Sequence, residues 1–282
     1  MIRYSKKGCI TEYRKIPGPH NRILKLMIVR PEISAHPSPA TGVLWLHGGG
    51  YLTGFPEMAF ISRAADLVRH CGAVLLSPAY CLTLKAPYPA ALEDSYRALL
   101  YMKRHAAELN IRPDQIMVGG ESAGGGLAAA LCILARDRGD VNIAFQMPLY
   151  PMIDCEDTPS SVNNHAKIWN TRRNHIAWKL YLRSIKHKHV PAYASPSRCR
   201  DYRGLPPAYT FVGDAEPFYC ETLTYIENLR KAGIPAAVDV YPGMYHAFDM
   251  MEPDSALGRK AAQRFLAAFE KAREQYYAPQ SC

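Results

Sequence analysis

Apolar runs of strand length alternate with longer segments of helical periodicity through most of this 282-residue chain. The short apolar runs predict β-strands over residues 23–29, 43–47, 73–79, 115–118, 143–149, 208–212 and 237–241. The longer segments, with apolar residues three and four positions apart, predict helices over about residues 60–69, 89–105, 123–137, 219–232 and 255–274. Strands that alternate with helices form crossover units of a parallel sheet. The chain is therefore expected to adopt an α/β fold, with a mainly parallel central sheet flanked by helices.

Residues 155–203 break the alternation. This segment is polar and rich in Ser, Asn, Pro and basic residues, yet it contains Trp169, Trp178 and Tyr181. It follows a predicted strand at the carboxyl end of the sheet, where open α/β sheets bind their ligands. We therefore expect a small cap insertion. No repeat or linker divides the chain, so residues 1–282 are expected to form a single domain.

Charge and composition narrow the classes of function. The net charge is +9, but no nucleic-acid-binding motif accompanies it, and nucleic acid is not an expected partner. Residues 167–188, the basic segment, hold much of the excess positive charge and contain no acidic residue. We expect this segment to form either a solvated outer face or a cationic border of the site entrance. Its basic residues include Arg172, Arg173, Lys179, Arg183 and Lys186.

Neither an export signal nor a membrane span is expected. Residues 1–8 carry positive charge without a following apolar run, and no apolar run is long enough to cross a bilayer. The eight cysteines are scattered and lack a Cys-x-x-Cys pair, which is typical of reduced thiols in a cytoplasmic protein. Four histidines over residues 165–189 show no compact metal-ligand pattern, so no metal is expected. They are His165, His175, His187 and His189.

Residues 120–124 read Gly-Glu-Ser-Ala-Gly and lie between a predicted strand and a small-residue helix. A nucleophile elbow needs this context, because its serine must project from a sharp strand-to-helix turn. The glycines on either side leave room for neighbouring backbone where a Cβ atom would clash. The motif alone also fits an ordinary glycine-rich turn that caps a helix. In this position it makes Ser122 a candidate nucleophile.

Residues 47–50 read His-Gly-Gly-Gly and also follow an apolar strand. Consecutive glycines leave backbone N–H groups free to point at one spot, which suits an oxyanion hole. We expect the N–H groups of Gly49 and Gly50 to form it together with that of Ala123. A flexible turn is the alternative, but both motifs stand at strand ends in the expected order.

At this point the sequence resembles the hormone-sensitive lipase family of α/β hydrolases. The resemblance rests on residues 47–51, 120–125 and 241–248, and on Tyr80 with residues 87–94, and it covers nearly the whole chain from Thr41 onward. It implies the α/β-hydrolase fold and hydrolysis of carboxylic esters, usually with short acyl chains. It also implies a small-molecule ester as substrate, with no metal or organic cofactor.

Three features depart from the family pattern. Glu121 stands where the family commonly has Asp, and Gly126 stands where it commonly has Asn. The first oxyanion motif also comes unusually early, so the N-terminal part of the cap is expected to be short.

His246 is the candidate general base. It lies in the turn after the last predicted strand, the place where an α/β hydrolase presents its histidine, and a surface histidine is the alternative. For the acid, Asp214 and Glu216 both follow the strand over residues 208–212. The family acid stands directly before a proline, and Pro217 aligns Glu216 with it. Glu216 is therefore favoured, and Asp214 becomes a turn or capping residue.

Together these residues predict a carboxylic ester hydrolase that acts on acetyl to butyryl esters through an acyl-enzyme. Two other functions fit the same motifs. An amidase or deacylase uses the same three residues, and a non-catalytic ligand-binding protein retains the same scaffold.

Overall fold

The computed structural model describes residues 3–6, 8–19, 22–32, 39–186 and 189–280. Within these residues nine strands form one sheet with the order β1-β2-β3-β5-β4-β6-β7-β8-β9. The pairs β1–β2, β2–β3 and β3–β5 are antiparallel, and the pairs from β5 through β9 are parallel. The strands are β1 (Arg3–Lys6), β2 (Cys9–Pro17), β3 (Ile23–Pro31), β4 (Ala40–Leu46), β5 (Val74–Pro78), β6 (Ile111–Glu121), β7 (Phe145–Leu149), β8 (Ala208–Gly213) and β9 (Ala236–Tyr241).

Helices cover both faces of the sheet. They are α1 (Ala64–Cys71), α2 (Ala90–Arg104), α3 (Ala106–Leu109), α4 (Ala123–Arg138), α5 (Thr171–Tyr181), α6 (Tyr219–Lys231), α7 (Phe248–Met251) and α8 (Ala256–Gln275). Apolar side chains of α2, α4 and α6 belong to one buried cluster, whereas those of α1 and α8 belong to a second cluster on the opposite face. The predicted α/β-hydrolase fold is thereby confirmed.

Strand β4 shows how the sequence builds these two layers. Leu44 and Leu46 lie in the first cluster, and Val43 and Trp45 lie in the second. Successive strand residues point to opposite faces, and both faces of β4 are buried, so residues 43–46 are all apolar. On the second face the rings of Trp45 and Phe265 meet edge to face, with 6.0 Å between their centroids.

Every predicted strand and helix has a counterpart, but some described elements escaped sequence analysis: β1, β2, α3, α5 and α7. Strand β2 reads Cys-Ile-Thr-Glu-Tyr-Arg-Lys-Ile-Pro, and its polar residues hide the apolar alternation that predicts a strand. Helix α5 lies inside the basic segment, where charged residues hide its buried positions. Its buried side chains are Asn174, Ala177, Trp178 and Tyr181, which recur at helical spacing.

Two further expectations concern membrane spans and cysteines. None of the helices in the described residues is long and apolar enough to cross a membrane. Seven cysteines carry free thiols in this part of the chain. The eighth cysteine, Cys282, lies outside the described residues. So do His187 and Lys188 of the basic segment.

Candidate active site

The turn between β6 and α4 holds Ser122 in a conformation that few L-residues adopt, with φ 58° and ψ −121°. The serine N–H donates to the carbonyl oxygen of Leu149, and its own carbonyl accepts from the N–H groups of Gly126 and Met152. These bonds tie the turn to the end of β7 and to the chain beyond it. A strained turn fixed in this way projects the serine hydroxyl from the carboxyl edge of the sheet.

Glycines flank this turn because the backbone approaches too closely for a side chain. A Cβ atom at Gly120 would collide with the carbonyl oxygens of Leu46 and Gly124. A Cβ atom at Gly124 would collide with the carbonyl oxygen of Leu46. The end of β4 therefore lies directly against the start of α4, and this contact sets the spacing between the two glycine motifs.

The predicted base and the favoured acid meet the serine at this edge. His246 lies after β9, and its Nε2 atom is 2.9 Å from the Oγ atom of Ser122. The Nδ1 atom of the same ring bonds the Oε2 atom of Glu216, which follows β8. All three residues are buried. The structure thus brings together three side chains from three separate strand ends.

Asp214, the alternative acid, lies elsewhere on the same loop. It is exposed, and its Oδ1 atom accepts a hydrogen bond of 2.6 Å from the N–H of Gly243. This bond links the turn after β8 to the turn after β9. The geometry places Asp214 as a turn residue and Glu216 on the histidine.

Burial raises the pKa of Glu216, and the neighbouring His246 opposes that rise. A further buried acid, Asp249, lies three residues after the histidine. Its Oδ1 atom accepts a hydrogen bond of 3.0 Å from Tyr150, and its Oδ2 atom lies 3.4 Å from the Nε atom of Arg63. Burial also raises the pKa of Asp249, while Arg63 lowers it. This pair anchors the helix that follows His246, and sequence analysis missed both residues because they are 186 positions apart.

Residues 47–51 form the loop of the predicted oxyanion hole, hereafter the oxyanion loop, and His47 fixes its conformation. The Nδ1 atom of its ring bonds the carbonyl oxygen of Gly48 at 2.8 Å, and the ring stacks on Tyr80 with 4.1 Å between centroids. Burial lowers the pKa of His47 to about 4, so this imidazole is neutral at pH 7. Gly49 and Gly50 have φ values of 114° and 62°, which glycine adopts without strain. Their N–H groups find no hydrogen-bond acceptor among the described residues.

Glu121 joins the two glycine motifs. Its Oε1 atom accepts from the N–H of Gly48 at 3.1 Å, and its Oε2 atom accepts from the Trp45 indole at 2.5 Å. The carboxyl group lies out of contact with water, and burial raises its pKa to about 8. The longer Glu in place of the family's Asp therefore reaches from the serine turn to the oxyanion loop.

The second departure from the family pattern also has a physical reason. A Cβ atom at Gly126 would collide with the carbonyl oxygen of Met152, and it would crowd the hydroxyl of Tyr51. That hydroxyl donates to the same carbonyl at 3.2 Å. Tyr51 thus fills the space that a side chain at position 126 would need.

Helix α5 contacts the loop of the predicted oxyanion hole through aromatic rings. Tyr181 stacks on Tyr51 with 4.0 Å between centroids, and Trp178 lies 5.9 Å from the same ring. Trp169, just before α5, lies 6.3 Å from the His246 ring. Part of the basic segment therefore borders the site, and an aromatic residue makes that contact.

Other acids and histidines of the chain have partners outside the site. The Oδ1 atom of Asp154 accepts from the N–H of Glu156, as in a turn. Asp94 is buried against Arg22, and His175 pairs with Asp157 at the surface.

Comparison with known proteins identifies the family of this chain. A model of the alpha/beta hydrolase fold family matches residues 43–250. The chain is 32% identical over 239 residues to carboxylesterase NlhH of Mycobacterium tuberculosis, covering 82% of this chain and 73% of that protein. It is 30% identical over 227 residues to an acetyl-hydrolase of Streptomyces hygroscopicus, covering 78% and 72%. A solved bacterial heroin esterase superposes with a TM-score of 0.88 at 33% identity, over 95% of this chain and 86% of that one.

Fold and site together define a serine ester hydrolase. The chain belongs to the α/β-hydrolase family, in its hormone-sensitive-lipase-like group, as the motifs predicted.

Glu121 makes the stability of the fold depend on pH. The pKa of this carboxyl group is about 8 in the folded protein, against an ordinary value of 4.5. The folded protein therefore keeps a proton that the unfolded chain releases between these values. The contribution of Glu121 to the free energy of unfolding is full below about pH 4.5 and is lost as the pH rises to about 8. We expect the Tm of the wild type to fall more steeply across this window than the Tm of Glu121→Gln, measured by thermal unfolding.

The comparison uses the slope, because the amide of Glu121→Gln faces two N–H donors and lowers stability by a similar amount at each pH. Glu274→Gln, at an exposed position on α8, is the matched control and should keep the wild-type slope. Parallel profiles for the wild type and Glu121→Gln would contradict the assignment.

Proposed function

We propose that this protein hydrolyses carboxylic esters of short acyl chains, with Ser122 as the nucleophile. The observation that carries the proposal is the continuous contact from the serine hydroxyl through His246 to Glu216 at the carboxyl edge of the sheet. A nucleophile, a base within hydrogen-bond reach and an acid that orients the base are the parts that acyl transfer needs.

In the proposed acylation step, the Oγ atom of Ser122 attacks the ester carbonyl carbon while its proton passes to the Nε2 atom of His246. Glu216 accepts from the Nδ1 N–H, which fixes the tautomer and stabilises the imidazolium that forms. The N–H groups of Gly49, Gly50 and Ala123 bind the oxyanion of the tetrahedral intermediate. When this intermediate collapses, the imidazolium protonates the leaving alkoxide, and the acyl group remains on the serine.

Deacylation repeats these roles with water. His246 takes a proton from a water molecule, which attacks the acyl-enzyme, and a second tetrahedral intermediate forms at the same N–H groups. Its collapse returns the proton to Ser122 and releases the carboxylic acid. No external oxidant, reductant or cofactor enters either step.

Residues 155–203 form the cap in this proposal, as part of a single domain over residues 1–282. The insertion is tied to the core on the side of the site: Arg183 donates to the carbonyl oxygen of Thr83, and Ser184 donates to that of Tyr88. These bonds and the Tyr181 ring stack hold α5 beside the oxyanion loop. A cap held there limits the room above Ser122.

Short acyl chains are proposed because a relative with 30% identity is named an acetyl-hydrolase. Acetyl to butyryl esters are the expected substrates.

The first prediction from this proposal tests the nucleophile. Ser122→Ala should lower kcat for p-nitrophenyl acetate by about four to six orders of magnitude, because removing the nucleophile leaves only binding and the oxyanion hole. A fluorophosphonate probe should label the wild type and not the variant. Ser197→Ala, a serine whose hydroxyl bonds that of Ser195, is the control and should keep wild-type turnover. A folded Ser122→Ala protein that keeps about a tenth of wild-type activity rules out the mechanism.

A second prediction separates the two carboxylates. Glu216→Ala should lower kcat by about four orders of magnitude, because the imidazole loses the group that orients it. Asp214→Ala removes a hydrogen bond in a turn and should lower the free energy of unfolding by about 1 kcal/mol with kcat nearly unchanged. Steady-state rates and chemical denaturation of both variants provide the comparison. The reverse pattern, with Asp214→Ala inactive and Glu216→Ala active, would assign the acid to Asp214.

A third prediction concerns acyl length. With p-nitrophenyl esters, kcat/KM should peak between acetyl and butyryl and decline for longer chains. Each methylene that finds an apolar pocket adds about 0.8 kcal/mol of binding, and a methylene that finds none adds nothing. A series from acetate to dodecanoate measures this directly. Faster hydrolysis of emulsified long-chain triglycerides than of soluble short esters contradicts the prediction.

A further inference from the structure

Three aromatic rings surround the imidazole of His246. Tyr150 and Phe218 lie 5.1 Å from it and stand nearly perpendicular to it, whereas Trp169 lies 6.3 Å away at an interplanar angle of 42°. Tyr150 and Phe218 are buried, with exposed fractions of 1% and 0%, and Trp169 is only half-buried. Trp169 is therefore the ring of these three that a bound substrate can touch.

Trp169 also contacts the oxyanion loop. A Cβ atom at Gly50 would collide with the outer edge of its indole, and the ring lies 6.4 Å from Phe218. The indole thus extends from Gly50 to His246. In the proposed mechanism the ester carbonyl lies at Gly50 and the leaving oxygen lies at His246, so both groups stand beside the indole.

The start of α5 fixes the orientation of this ring. The indole N–H donates to the Oδ1 atom of the buried Asn174 at 3.3 Å. The Arg173 guanidinium donates to the carbonyl oxygens of Lys167 and Ile168, directly before the tryptophan. At least one charge of the basic segment therefore supports the loop that carries Trp169. A wall held in this way offers a flat surface at low entropic cost.

We infer that Trp169 selects the alcohol part of the ester, and that its indole stacks on planar aromatic alcohols. The alkoxide must leave beside the Nε2 atom of His246, because that atom supplies its proton, and Trp169 forms the accessible wall there. Offset stacking of two aromatic rings is favourable beyond the apolar area it buries. Aryl esters are therefore the preferred substrate class, an inference that rests on the proposed esterase function.

The test compares phenyl acetate with cyclohexyl acetate in the wild type, Trp169→Leu and Trp169→Phe. Both esters give the same acetyl-enzyme, so a difference between them arises before the alcohol leaves. The greater intrinsic reactivity of the phenyl ester cancels when each variant is divided by the wild type. Trp169→Leu should lower kcat/KM for phenyl acetate about three- to tenfold and change that for cyclohexyl acetate less than about twofold. Trp169→Phe should retain most of the aryl preference.

A binding measurement accompanies the rates. Inhibition by phenol should weaken in Trp169→Leu by the same factor, while inhibition by cyclohexanol stays constant. Ile176→Ala, an exposed position on α5, is the control for altering the cap and should change neither ratio.

Two results overturn the inference. Equal losses for both acetates would make the indole a structural wall, and a gain for long acyl chains with intact aryl preference would place it on the acyl side. Failure of the esterase proposal is distinct from either result. In that case the wild type neither turns over esters nor reacts with a fluorophosphonate, whereas a labelled, active enzyme with an unchanged phenyl-to-cyclohexyl ratio refutes only the role of Trp169.

Discussion

The contact between the end of β4 and the start of α4 leaves no space for side chains at the turn that carries Ser122. Cβ atoms at Gly120 and Gly124 would strike backbone oxygens across this contact, and the serine itself has a positive φ of 58°. Because the two backbones touch, the oxyanion loop that continues β4 arrives beside the serine without further adjustment. Glu121 secures the same contact with its two hydrogen bonds, to Gly48 and Trp45. The site geometry is in this sense a product of sheet packing.

Buried acids connect the loops at this edge of the sheet. Glu121, Glu216, Glu221 and Asp249 are all buried, and burial raises the pKa of each of them. Their oxygens accept hydrogen bonds from separate segments; Glu221, for example, accepts from the N–H groups of residues 153 and 154 at 2.7 and 3.1 Å. Such bonds replace the water that a carboxyl group loses on burial, and they fix the segments that they join. Only Glu216 bonds the imidazole directly.

Local sequence signals account for most of the predicted fold, because apolar periodicity and glycine motifs act over short stretches of chain. The strand-helix alternation predicted the sheet, and the motif at residues 120–124 predicted the turn at Ser122. Asp214 and Glu216 are close in sequence, and they differ in the residues that they contact in the fold. The preference for Glu216 therefore came from Pro217 and not from apolar periodicity. The contacts of Asp249 and Trp169 could not be predicted for the same reason, because each contacts residues that are distant along the chain. Helix α5 was hidden by the charges on its exposed face.

The stack of Tyr181 on Tyr51 joins residues 155–203 to the loop over residues 47–51. Each ring is fully enclosed, and the Tyr51 hydroxyl bonds the carbonyl oxygen of Met152 beyond the serine turn. Residues 155–203 are consequently not an interchangeable module. A chimaera that receives residues 155–203 from a relative keeps this ring stack only if the graft brings an aromatic ring to position 181. Recombination libraries built on this scaffold should therefore treat positions 51 and 181 as one inherited unit.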